Sequence, residues 1–152
     1  MKIRVCSGFL RSGRGAAYDV LVAPRISVLV PCYDDGATVA EAIASISEDE
    51  AVDLVLIDDG SRDPHTIAVL DDLAARGDVR LIRQANAGVA AALRAGTAAA
   101  TAPYVFILNS DDLVEARALA TLADALVAQL NRLLADSIPW RSFREVEGDK
   151  KA

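Results

Sequence analysis

From Arg25 onward, short continuous apolar runs alternate with longer stretches in which apolar residues recur every three or four positions. The runs are RISVLVP (25–31), VDLVLID (52–58), VRLIRQ (79–84) and YVFIL (104–108), most of them rich in β-branched residues. Successive side chains of a strand point to opposite faces, so an unbroken run suits a strand covered on both sides. Between the runs, Val39, Ala42, Ile43 and Ile46 fall at helical spacing, and Ile67, Leu70 and Leu73 or Ala74 form a second such stripe. Asp63 stands where a helix N-cap belongs, Pro64 at the first helical position, and Gly77 just past the end. Residues 88–101 predict a third helix, favoured by its alanines, and 116–136 a long amphipathic fourth.

The order is βαβαβαβα within about 110 residues. Such alternation implies an α/β fold: three αβα layers, a mostly parallel sheet and right-handed crossovers, Rossmann-like in layout. Residues 1–24 form a separate segment, with three glycines and two serines in SGFLRSGRGAAY and at most a short edge strand in VCSGF or YDVLV. The domain then spans 25–135, and 136–152 is a polar tail.

Composition adds limits. At 152 residues and 53% hydrophobic, the chain is long and apolar enough for one domain with a real core. A net charge of −6 argues against nucleic acid as a partner. The basic groups Lys2, Arg4, Arg11, Arg14 and Arg25 gather at the start against the single acid Asp19. A solvated, loosely attached head is the plainer explanation, a phosphate or anionic lipid contact the sharper one. Cys6 and Cys32 make neither a disulfide framework nor a metal motif, which suits a reducing, cytoplasmic setting. No run approaches the ~20 apolar residues that cross a bilayer, so work at a membrane would be peripheral. His65, in a predicted first helical turn, reads as a surface residue.

The chemistry gathers at the strand ends. The first strand runs into Tyr33, Asp34 and Asp35, the second into Asp58, Asp59, Gly60 and Ser61, the third into Asn86 and Gly88. The fourth, read as buried, runs into Asn109, Ser110, Asp111 and Asp112. In open α/β sheets ligands bind outside the carboxyl ends of the strands. Any one such cluster is more often a turn or a helix cap than a site. Four together bring six carboxylates to one rim, which is costly unless a cation or a donor-rich ligand offsets the repulsion. Paired carboxylates suit Mg2+ or Mn2+, hard ions that keep waters and substrate phosphates. Tyr33 is placed to stack on a flat base, and Asp59 to accept from the N–H of a pyrimidine. Neither G-x-G-x-x-G nor G-x-x-x-x-G-K-[ST] follows the first strand, which speaks against a dinucleotide-binding dehydrogenase or a P-loop enzyme.

These segments together resemble the family-2 glycosyltransferases, inverting enzymes of the GT-A fold. ISVLVPCYDDGATVAEAIASI is similar to that family's opening strand and helix, LVLIDDGSRD to its VDDGSxD segment, NAGVAAALRAG to its N-x-G stretch, and YVFILNSDD to its metal-binding strand end. The likeness runs over about residues 25–130, with all four segments in order. It implies that Pro31, Tyr33, Asp58, Asp59, Asn86, Gly88, Arg94 and Ser110 line or support a nucleotide-sugar site, with Tyr33 on the base, Asp59 binding it and Asp58 supporting that loop. It implies that Asp111 and Asp112 hold a divalent metal, Mn2+ or Mg2+, against the diphosphate. The donor would be a nucleoside-diphosphate sugar, UDP-linked by preference, with TDP fitting the same contacts.

Four positions depart from the family pattern: Asp34 and Arg94 replace asparagines, Asn109 an aspartate and Ala116 a proline. The chain ends about forty residues after Asp112, and none of Asp136, Glu145, Glu147 or Asp149 matches the family's acceptor half or its carboxylate base. The expectation is a donor-binding half of a transferase with no assigned catalytic residue, working on an acceptor hydroxyl. A non-catalytic nucleotide-binding or interaction module, completed by self-association or by a partner chain, is the alternative. A nucleotidyltransferase ranks third, because PCYDDGATV lacks a Gly-rich basic loop.

Overall fold

The structure, a computed structural model, describes residues 23–77 and 79–137. The basic head before Ala23, with Cys6 and the short edge strand expected there, and the tail from Ile138, with Trp140, lie outside the described residues. Eight elements follow the expected alternation: β1 (Ile26–Cys32), α1 (Val39–Ser45), β2 (Asp53–Asp58), α2 (Pro64–Ala75), β3 (Arg80–Arg83), α3 (Val89–Ala99), β4 (Tyr104–Ile107) and α4 (Ala118–Ser137). The chain divides into one compact unit up to Ala120 and another from Thr121. The second holds the rest of α4, where Leu122, Leu126, Leu130 and Leu133 are exposed.

The sheet order is β3-β2-β1-β4, and each pairing is parallel. The chain therefore winds outward from β1 through β2 to β3, then crosses back past β1 to β4. Right-handed crossovers put α1 and α2 on one face and α3 on the other. The reversal between β1 and β4 is a topological switch point, where the loops leaving the two strands part and open a crevice.

The core follows from the apolar runs. Leu29, Val55 and Ile57 are fully buried under Ala92 of α3, and Val28, Val30, Leu54 and Leu56 are as well buried. Each such side chain contributes roughly 1.5–3 kcal/mol relative to exposure. Gly96 lets α3 lie close: a Cβ there would come within 2.8 Å of Ile57 Cδ1. α2 begins as its sequence dictates, with the Asp63 carboxylate accepting from the His65 and Thr66 amides and Pro64 at the first position.

β4 corrects one expectation. Among the described residues it is an edge strand, with Val105 44% and Ile107 49% exposed. Their register partners on β1 are Ser27 and Leu29, so they share the face that α3 covers. α3 packs over β1 and β2, and β4 extends beyond that cover. α1 starts at Val39, where its sequence stripe starts, and ends at Ser45, with Ile46 of the stripe as its C-cap.

Candidate functional site

A cavity of about 230 Å3 lies at the switch point. Its walls come from the end of β1 (Pro31, Cys32, Tyr33, Asp35), from Asp59 after β2, from Val89 and Ala92 on α3, and from Asn109, Ser110 and Asp111 after β4. Four loops distant in sequence thus meet around one space.

The expected crowding of six carboxylates is largely resolved inside the protein. Asp58 is buried, with Oδ1 accepting from the Ser61 amide at 2.8 Å and Oδ2 from Arg83 Nε at 3.2 Å. Asp59 is equally buried. Its Oδ1 accepts from Gln84 Nε2 at 2.7 Å and the Ala87 amide at 3.0 Å, and its Oδ2 from the Gly88 amide at 2.8 Å. The Ala87 amide foremost, then Gln84 and Gly88, hold its carboxyl below the usual value, against burial. Asp34 has φ 54°, in the left-handed region that Asp and Asn tolerate better than most side chains. Its Oδ1 accepts from the amides of Arg62 (2.6 Å) and Asp63 (2.8 Å). Asp35 Oδ2 accepts from Ser110 Oγ at 2.6 Å. These carboxylates therefore stitch the loops together, and backbone N–H groups supply most of the compensation that sequence reasoning expected from a cation or a donor-rich ligand.

Two glycines permit the close approach. The Gly36 amide donates to Thr66 Oγ1 at 2.9 Å, and a Cβ at Gly36 would sit 2.6 Å from Thr66 Cα. Gly60 has φ 78°, and a Cβ there would meet the Asn86 amide nitrogen at 2.6 Å.

At the other rim Asn109 Nδ2 donates to Asp112 Oδ2 at 2.8 Å, which closes a turn. Asp111 is exposed, lines the cavity and has no hydrogen bond or ion pair among the described residues. No three Asp, Glu, His or Cys side chains gather into a closed metal cage among the described residues. The donor set suits another arrangement, a hard cation held by one or two carboxylates and completed by phosphate oxygens and water. The uncommitted Asp111 carboxylate, with the Asn109 side chain on the same wall, fits such an ion.

Of the residues singled out from the sequence, Pro31, Tyr33, Asp59, Ser110 and Asp111 line the cavity. Asp58, Asn86, Gly88, Arg94 and Asp112 are not among its lining residues. Asp58 and Gly88 act on the loops behind it, Asp112 is hydrogen-bonded to Asn109, and Arg94 is exposed on α3. Sequence reasoning did not assign Asp35 a role, although it stood in the quoted PCYDD cluster. It also missed Cys32, Val89 and Ala92. The i, i+4 pair Ala92 and Gly96, small residues on one helical face, was the available signal for the α3 wall. Burial pushes the Cys32 thiol up to about 11; the Asp35 amide acts against this, and the carboxylates of Asp35, Asp58 and Asp34 add to it.

Comparison with known proteins bears on the family and the fold. The profile of Glycosyl transferase family 2 matches residues 27–149. Glycosyltransferase GlyG of Streptococcus pneumoniae is 34% identical over 101 residues, covering 64% of this chain and 33% of that protein. The mannosyltransferase PcManGT of Pyrobaculum calidifontis, solved with GDP-Man and Mn2+, superposes with a TM-score of 0.53 at 28% identity, over 76% of this chain and 35% of that one. Glucosyl-3-phosphoglycerate synthase of Mycobacterium tuberculosis, solved with Mn2+, UDP and glucosyl-3-phosphoglycerate, gives 0.53 at 27% identity, over 68% of this chain and 39% of that one. The chain spans a third or less of the length of the first curated relatives it matches.

Proposed function

Because the chain belongs to glycosyl transferase family 2, we propose that its switch-point cavity binds a nucleoside-diphosphate sugar, UDP-linked by preference, together with Mn2+ or Mg2+. The reaction it serves is inverting transfer of the sugar to an acceptor hydroxyl. One observation carries the reading: Tyr33, Asp59 and the uncommitted Asp111 line one cavity at the carboxyl ends of parallel strands.

Each residue then has a physical task. Tyr33, 44% exposed, offers a ring face on which a base stacks. An ionised carboxylate has about four acceptor positions. Asp59 has used three of them on Gln84, Ala87 and Gly88, and the fourth, on Oδ2, is left for the N–H of a pyrimidine. Val89 and Ala92 give the base an apolar wall, while Asp58 and the Gly88 amide keep the loops around Asp59 in place. Asp111, with Asn109 beside it, would hold the cation, and Asp112 fixes that turn through Asn109. When bound, the cation neutralises the charge of the departing diphosphate. The PcManGT and glucosyl-3-phosphoglycerate synthase complexes, with GDP-Man and UDP respectively, both contain Mn2+ and support this class of ligand.

Calorimetric titration of UDP, TDP and GDP, with and without Mn2+, tests the reading. UDP binding that strengthens with Mn2+, and loses that dependence in Asp111→Ala, is the expected result. A folded chain that binds none of the three diphosphates would overturn it and leave the carboxylates as loop ties alone.

A further inference from the structure

The crevice is spanned by one short hydrogen bond. β1 and β4 are register-paired as far as Leu29 and Ile107, with a last backbone bond from the Leu108 amide to the Leu29 carbonyl. Beyond that point β1 continues to Cys32 while the other chain turns away through Asn109, so the two loops are no longer tied by the sheet. Ser110 Oγ then reaches back to Asp35 Oδ2 at 2.6 Å across 75 positions of sequence. Ser110 is only 5% exposed, and an ionised carboxylate accepts but cannot donate, so the hydroxyl proton is committed to Asp35.

The Asp35 end is rigid. Its carbonyl accepts from the Thr38 and Val39 amides, which open α1, and the next residue, Gly36, is clamped on Thr66. The Ser110 end is adjacent to Asp111. Resting on the donor-site reading above, we propose that Asp35 is a positioning residue: by accepting from Ser110 it sets the Asp111 carboxylate at the place where a divalent cation and a diphosphate meet. The link joins the base side of the cavity to the cation side, so it couples the two halves of one ligand. Groups that orient metal ligands in this indirect way usually account for about 10–100-fold in metal affinity.

The test uses the whole chain and four variants, Ser110→Ala, Asp35→Ala, the double variant and Asp35→Asn, each checked for folding by circular dichroism. UDP affinity is measured with and without Mn2+, and amide exchange of residues 109–112 is followed without ligand. In Ser110→Ala and Asp35→Ala, UDP affinity with Mn2+ should fall about tenfold, affinity without Mn2+ should hold, and exchange at 109–112 should quicken. The double variant should be no worse than the poorer single one, since both remove one bond. Asp35→Asn keeps an acceptor for Ser110 and should recover most of the affinity and the protection. Additive losses, or equal losses with and without Mn2+, would overturn the proposal. So would wild-type Mn2+-dependent binding that Ser110→Ala leaves unchanged. Absence of UDP binding in the wild-type chain would instead overturn the donor-site reading and this role along with it.

Discussion

Arg80 holds Asp53 through two nitrogens, Nε at 3.0 Å and Nη2 at 2.8 Å, at the end of the sheet opposite the cavity. Asp53 is buried at the first position of β2 and also accepts from Ser27 Oγ at 2.6 Å and from the Thr101 amide and hydroxyl at 2.9 and 2.8 Å. The same Arg80 nitrogen donates to the Ala99 carbonyl at 2.8 Å. One carboxylate thus ties β1, β2, β3 and the connection from α3 into β4. Removing it leaves several donors without a partner, and Arg80, being partly exposed, recovers water more easily than the rest. Asp53→Ala should lower the unfolding free energy by about 3 kcal/mol, measured by urea denaturation.

The same carboxylate makes stability depend on pH. Burial pushes Asp53 up, but hydrogen bonds from Ser27, Thr101 and Arg80 outweigh it and hold the group below its ordinary value. Asp59 is held low as well. For carboxyls depressed on folding, the unfolded chain binds protons first as pH falls. Their contribution is complete above the unfolded value near ~4 and is lost as pH drops through the lower folded values. Unfolding midpoints in urea should therefore be level from pH 7 to about 5 and decline steeply below ~4. In Asp53→Asn the decline should be shallower; an equal slope would show that other carboxyls carry it.

Gly36 tests how tightly the loop after β1 is built. In Gly36→Ala the new methyl would lie 2.6 Å from Thr66 Cα and 2.9 Å from its amide nitrogen, backbone atoms that cannot step aside alone. A loss of about 1–3 kcal/mol is expected, read as a lowered thermal midpoint. UDP affinity should weaken too, because Tyr33 and Asp35 are on the displaced loop.

Asp59→Asn separates support from recognition. An amide keeps acceptor capacity on one atom only, and its NH2 group faces donors that had met a carboxylate oxygen. Affinity for UDP should fall by tenfold or more in calorimetry. Amide exchange at Ala87 and Gly88 should rise even without nucleotide, which marks the loop-holding part of the role.

Cys32 reports on occupancy. Its buried thiol, pushed up to about 11, should react slowly with iodoacetamide at pH 8, since little thiolate is present. Peptide mass mapping distinguishes it from Cys6. Saturating UDP and Mn2+ should slow Cys32 further, because Cys32 lines the cavity.

Local chemistry alone determined much of this protein. The β-branched runs, the helical stripes and the Asp63–Pro64 helix start are short-range signals, and each became the element it announced. The parallel sheet followed from their alternation, and the rim bearing the carboxylates from the strand ends. What the carboxylates do there was decided by tertiary structure. Asp59 meets Gln84, Ala87 and Gly88, and Asp35 meets Ser110, only because parallel crossovers return distant loops to one edge. A sequence shows which groups carry charge but not which N–H groups will face them. Repulsion among the six acids, which called for a cation or a donor-rich ligand, is relieved mostly by the backbone, and of the two acids expected to hold a metal Asp111 is left as the uncommitted carboxylate. The exposure of Val105 and Ile107 was likewise a matter of packing, since an apolar run cannot say that α3 covers β1 and β2 and stops short of β4.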